Sequence, residues 1–173
     1  MEHFPLIIGN LCSLLAMGTD SLSSTRKTAK GVLWVQCVSQ LFYGFGAIML
    51  KGYSGAVQNA VGLVRNLVAI KQIKSKPVEW LLVILGVALG VVFNNRGIMG
   101  WLPIIANLQY TIAVFRFPDD ERALKISFLI ALVMYILFCV VLYNFVGIAT
   151  NTVIIITTAI ALVKSPKKEK EEK

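Results

Sequence analysis

Charge is scarce in this sequence. Only 15% of the 173 residues are Asp, Glu, Lys or Arg, 57% are hydrophobic, and mean hydropathy is +0.73. A soluble domain carries about 25% charged residues, so the composition excludes one and indicates an integral membrane protein. Histidine is almost absent: His3 stands alone near the start. Cys12, Cys37 and Cys139 fall within apolar stretches, with no CxxC spacing and no neighbouring His. They read as small packing residues, which leaves no metal site and no redox pair. The apolar stretches hold no Ser with His and no ligand cluster, so neither enzymatic activity nor a cofactor is expected. Carboxylates are missing from them too. Asp20, Glu79, Asp119, Asp120 and Glu121 all sit at edges or in loops. Proton relays and many ion-coupled sites use buried carboxylates, so the expectation is passive passage without a strongly cationic substrate.

What is present is a series of seven apolar segments, at residues 4–17, 32–50, 52–71, 78–93, 99–115, 124–143 and 145–163. About 20 helical residues span roughly 30 Å, the thickness of a bilayer core. The net charge of +8 lies in short runs between segments and in the tail, not on a basic face interleaved with aromatics. Nucleic acid is therefore not expected as a partner; membrane topology explains the charge. Arg26, Lys27 and Lys30 follow segment one, Lys71, Lys74 and Lys76 follow segment three, and Arg116, Arg122 and Lys125 follow segment five. The tail adds five lysines, whereas the opposite side has only Lys51 and Arg96. The positive-inside rule then puts the N-terminus outside and the C-terminus in the cytoplasm. Glu2 and His3, rather than Lys or Arg, precede segment one, which therefore reads as a retained helix and not a signal peptide. Trp34, Trp80, Trp101, Tyr53 and Tyr143 lie near segment ends, as interfacial anchors do.

The third segment is unusual in carrying Gln58, Asn59, Arg65 and Asn66 within an apolar span. Its pattern returns at residues 144–164, offset by 92: Gly55 aligns with Gly147, Asn59 with Asn151, Val61 with Val153. The same offset aligns Tyr43 with Tyr135 and Leu50 with Leu142. An offset of 97 aligns residues 7–11 with 104–108, pairing Asn10 with Asn107. The predicted fold is all-α, with seven transmembrane helices arranged as two parallel three-helix repeats joined by a linker helix. The divisions are 1–72, 73–97 for the linker, 98–164, and a charged tail at 165–173, expected disordered or resting on anionic head groups. Three helices plus a linker give both repeats one orientation, about an axis along the membrane normal. In the linker, Gly86-x-x-x-Gly90 permits close helix contact, read as packing within the bundle before a dimer interface.

Asn10, Asn59, Asn107 and Asn151, with Tyr43, Tyr135, Gln58 and Thr150, are the candidate substrate-binding residues. Asn offers donors and an acceptor without charge. Two such sets around a pseudo-twofold axis would form a neutral pocket near mid-membrane. The bland reading is interhelical glue, at about 0.6–2 kcal/mol per bond. Arg65 either snorkels to the head groups or lines the inner half of a path. Its counterpart in the repeat is Thr157.

Residues 102–116, LPIIANLQYTIAVFR, together with 58–67, QNAVGLVRNL, resemble the bacterial inner-membrane YgjV family over nearly the whole chain. The 3+1+3 layout also resembles the SWEET and PQ-loop (MtN3-like) group, which includes the PnuC-type vitamin transporters. That resemblance implies packing in the order 1-3-2 within each repeat, rocker-type alternating access, and a pocket lined by Asn59 and Asn151. The chain departs from the group in lacking a Pro-Gln pair after segment one, prolines in segments two and six, and a WxxW signature. The expectation is a small-solute facilitator of the bacterial inner membrane. Its solute would be uncharged and polar, of the sugar, nucleoside or vitamin kind; the bilayer is its other partner, and self-association is left open. The alternative is a non-transporting module, lipid-binding, scaffold or regulatory, on the same bundle.

Overall fold

The structure is a computed structural model and describes residues 3–73 and 75–164. The charged tail at 165–173 and Lys74 lie outside the described residues. Among the described residues, seven α-helices follow in order: α1 His3–Ser24, α2 Ala29–Met49, α3 Tyr53–Ile70, α4 Lys76–Val92, α5 Trp101–Arg116, α6 Glu121–Val141 and α7 Phe145–Lys164. A short 3₁₀ turn, Gly97–Gly100, leads into α5. Among the described residues there is no strand. Among the described residues, five helical spans are long and apolar enough to cross a membrane: α1, α2, α6, α7, and α5 taken together with the turn before it, Gly97–Arg116, 20 residues. The other two fall short of that description because α3 is diluted by its polar residues and α4 has 17 residues.

Local chemistry sets the boundaries. Thr28 starts α2 by accepting from the Gly31 amide, and Asp120 starts α6 by accepting from the amides of Arg122 and Ala123. α2 and α6 end alike: Lys51 and Tyr143 take left-handed conformations, with φ of 56° and 53°. The Gly52 amide then donates to the Ala47 carbonyl, and the Asn144 amide to the Cys139 carbonyl. These are the wraparound bonds that satisfy orphaned carbonyls at a helix end.

Side chains sort inside-out relative to a soluble protein. Arg65, Asn66 and Ser54 are fully covered, whereas Leu41, Ile84 and Phe145 are more than half exposed. The outward apolar face suits a lipid solvent, where helices associate through small residues and polar bonds.

The helices close into a ring. α1 packs on α2 and α7, α2 on α3, α3 on α5, α5 on α6, and α6 on α7, while α4 lies outside across the α3–α5 seam. The 1-3-2 order implied by the SWEET resemblance is not adopted, because α2 sits between α1 and α3. Two features place it there. Only residues 25–28 connect α1 to α2, and the two helices meet at glycines: a Cβ on Gly46 would stand 3.1 Å from the Gly9 carbonyl. In α4, Gly86 and Gly90 are buried against α3 and α5, so the small-residue motif packs within the bundle. One end of the ring gathers Lys30, Lys76 and Arg116 around one cleft, and Arg26, Lys27, Arg122, Lys125 and Lys164 around another.

Candidate functional site

The ring encloses a cavity of about 90 Å³, lined by all six of its helices and by none of α4. That volume holds a handful of waters, at ~10–15 Å³ each. It is well below the roughly 300–1,000 Å³ of an ordinary ligand site, so the cavity is closed down in this conformation.

The cavity contains a carboxylate. Hydropathy ends segment one at Met17, but α1 continues to Ser24 and carries Asp20, only 2% exposed, into the wall. Ser39 Oγ donates to Asp20 Oδ1 and also stands 3.0 Å from the Gln36 carbonyl. Tyr43 flanks the same carboxylate. The expectation that the segments are free of Asp and Glu, and that the pocket is neutral, is therefore overturned. The physical reason is that α1 is two-faced along its whole length. Gly9, Ser13, Ala16, Asp20 and Ser24 form a buried stripe, while Leu11, Leu14, Leu15 and Leu22 face outward. A hydropathy window averages the two faces and stops where the polar one becomes prominent. The stripe at spacings of three and four was the signal available in the sequence.

Arg65 supplies the opposite charge. Its side chain is completely covered and lines the cavity, so it does not snorkel to the head groups. Nε donates to Asn66 Oδ1 at 3.0 Å, and Nη1 donates to Asn107 Oδ1 at 2.6 Å and to Thr111 Oγ1 at 3.3 Å. The guanidinium carbon stands 4.6 Å over the Tyr110 ring, a cation–π contact. Tyr110 Oη donates to Gln36 Oε1 at 2.8 Å. From Asn107 the bonds continue: its Nδ2 donates to Gln58 Oε1, and Gln58 Nε2 donates to the Gly86 carbonyl of α4, each at 2.7 Å. Asp20 and Arg65 thus share one cavity, each held by neutral groups and linked through Ser39, Gln36 and Tyr110 rather than paired with one another.

Of the candidates named from the sequence, Asn59, Asn107, Asn151, Tyr43 and Tyr135 line the cavity together. Asn10, Gln58 and Thr150 do not. Asn10 Oδ1 accepts from the Val146 amide, binding α1 to α7, and Thr150 Oγ1 donates within its own helix to Gly147. Gln58 is turned toward α4 and α5. Asn59 is not interhelical glue through its amide nitrogen, since Nδ2 donates to Gly55 of its own helix. Asn151 Oδ1 accepts from Tyr43 Oη across the ring at 3.3 Å. Ser39, Gln36, Gln40 and Tyr110 are cavity residues that sequence reasoning passed over or left peripheral.

The three cysteines are buried and unpaired. Cys37 packs among Leu33, Val114 and Leu124, in agreement with a packing role. Among the described residues, no three His, Cys, Asp or Glu side chains gather as metal ligands would.

No curated protein and no solved structure matches the chain significantly. The family model Imp-YgjV, described as bacterial inner membrane protein, matches residues 7–169 and so takes in every helix that lines the cavity. By that match, the chain belongs to the Imp-YgjV family of bacterial inner membrane proteins.

Proposed function

We propose that the protein is a small-solute transporter, with the cavity inside the helix ring as its solute site. The observation that carries this reading is the cavity itself. A polar, charge-bearing space is bounded by six helices whose outer faces are apolar. Buried ionisable residues at membrane depth are expensive and mark substrate or ion paths.

All seven helices span the bilayer in this reading, including α3 and α4. The 17 residues of α4 are about 26 Å long, and Trp80, Leu81, Ile84 and Leu85 present an apolar outer face. Two parallel repeats are supported by the neighbour relations. Exchanging α1, α2 and α3 with α5, α6 and α7 maps the ring onto itself, and the α1–α7 seam onto the α3–α5 seam. The matched left-handed turns at Lys51 and Tyr143, also 92 apart, give the same support from the backbone. The basic end of the ring supports an N-terminus outside and a C-terminus in the cytoplasm.

A second reading, a non-transporting module, draws on the closed hydrogen-bond run from Arg65 through Asn107 and Gln58 to Gly86, which suits a static polar core. Osmotic swelling of proteoliposomes separates the two. Gradients of glycerol, glucose, L-alanine and L-lactate are imposed and light scattering is followed. Transport requires at least one solute to enter faster than into protein-free liposomes. Rates equal to the empty vesicles for all four would favour the static module.

A further inference from the structure

We infer that the solute carries a carboxylate and that Arg65 is its anchor. The inference rests on the transport reading above and narrows it to a substrate class.

The bonds of Arg65 are incomplete in a particular way. Every partner described above is neutral, and the third guanidinium nitrogen, Nη2, has no partner although it is buried. A buried cation that makes no direct ion pair retains part of a desolvation penalty of several kcal/mol, which neutral acceptors offset only in part. Two further orphan atoms belong to residues of the same wall: Gln36 Nε2, a donor, and Gln40 Oε1, an acceptor. Gln36 is tied to Arg65 through the Tyr110 ring, which lies under the guanidinium and bonds the Gln36 amide. Two unpartnered donors in one cavity lining, one of them cationic, are the kind of donors a carboxylate takes. Ser54 Oγ and Asn66 Nδ2 also lack partners but do not line the cavity, and they enter no site.

A single arginine sets the class further. Asp20, in the same cavity, opposes a dianion such as phosphate, whereas a monocarboxylate is compatible with one cationic donor. The three orphan atoms are covered in this closed conformation, so the carboxylate enters with a shift of the lining side chains. Two sources share this chemistry: a simple acid, and an amphoteric solute whose ammonium would lie toward Asp20 and Gln40. L-lactate and L-alanine represent them.

The test is a titration of the full chain in nanodiscs of neutral lipid with L-lactate, L-alanine, glucose and L-lactamide, the amide that matches lactate without its charge. At least one acid is expected to bind and to raise the melting temperature, with lactamide and glucose at least ~10-fold weaker, the loss of one charged hydrogen bond. Arg65→Gln is expected to remove that preference, and Asp20→Asn to weaken alanine while sparing lactate if the solute is amphoteric. Because Arg65→Gln can unfold the bundle, the acid-to-amide ratio on the unmodified chain decides. Lactamide binding as tightly as lactate, or no acid binding at millimolar concentration, would overturn the carboxylate assignment. Glucose swelling with no acid binding would overturn it and leave transport standing. Acid binding without swelling would leave the carboxylate site and remove transport.

Discussion

The two halves of the ring, α1–α3 and α5–α7, face the same cavity with different chemistry. The first brings both formal charges, Asp20 from α1 and Arg65 from α3; the second brings Asn107, Tyr110, Tyr135 and Asn151. Counterparts diverge where it matters most. The position matching Arg65 is Thr157, which donates only to its own helix at Ile154. The position matching Gly46, where α1 and α2 nearly touch, is Phe138. Where the halves agree is in their frame: the helix order, the left-handed turns and the placement of Asn59 and Asn151. A shared frame with one charged half and one neutral half teaches that the scaffold and the site are separable.

The strongest way to break this contrast is at Arg65. Arg65→Ala leaves Asn107 Oδ1 and Asn66 Oδ1 without their donor and is expected to destabilise by about 2–4 kcal/mol. Thr157→Ala is expected to lose under ~1 kcal/mol. Denaturation in mixed micelles compares them, and equal losses would erase the asymmetry. Next comes Gly46→Val, whose added atoms meet the Gly9 backbone and Cys12; about 1–3 kcal/mol is expected. A Cβ on Gly18 meets nothing within 4 Å, so Gly18→Val should be tolerated. A tolerant Gly46 would loosen the claim that α1 and α2 are held by close glycine contact. A somewhat smaller effect is expected from Asn107→Ala, about 1–2 kcal/mol through Arg65 and Gln58, against under ~1 for Asn10→Ala. The smallest concerns Asn59 and Asn151. Alanine at Asn59 should change stability by at most ~0.5 kcal/mol, and at Asn151 by about 0.6, since only Asn151 receives a bond across the ring. Both are expected to slow solute swelling.

Much of the frame was legible in the sequence. The bounds of α3 differ by one residue from segment 52–71, and Asn59 and Asn151 do converge on one cavity. The ring order was not legible, because Gly9 and Gly46 reveal their contact only when their helices are side by side. Asp20 was lost for a different reason. The sequence after Met17 is polar on average, yet Asp20, Ser23 and Ser24 fall on the side that the bundle buries. Arg65 was visible, but its environment depends on Asn107, Tyr110 and Thr111 from a helix more than 40 residues away.

The central claim is that the enclosed polar space opens to water, and thiol labelling tests it most directly. Ala106 and Ala131 line the cavity; Ala16 is equally buried but does not. Each is replaced singly by Cys in a chain whose three native cysteines are Ala, and exposed in proteoliposomes to a small, charged, membrane-impermeant thiol reagent. Ala106→Cys and Ala131→Cys are expected to react while Ala16→Cys stays inert. Equal inertness at all three positions, with a loop cysteine reacting normally, would contradict it and make the interior a sealed polar core.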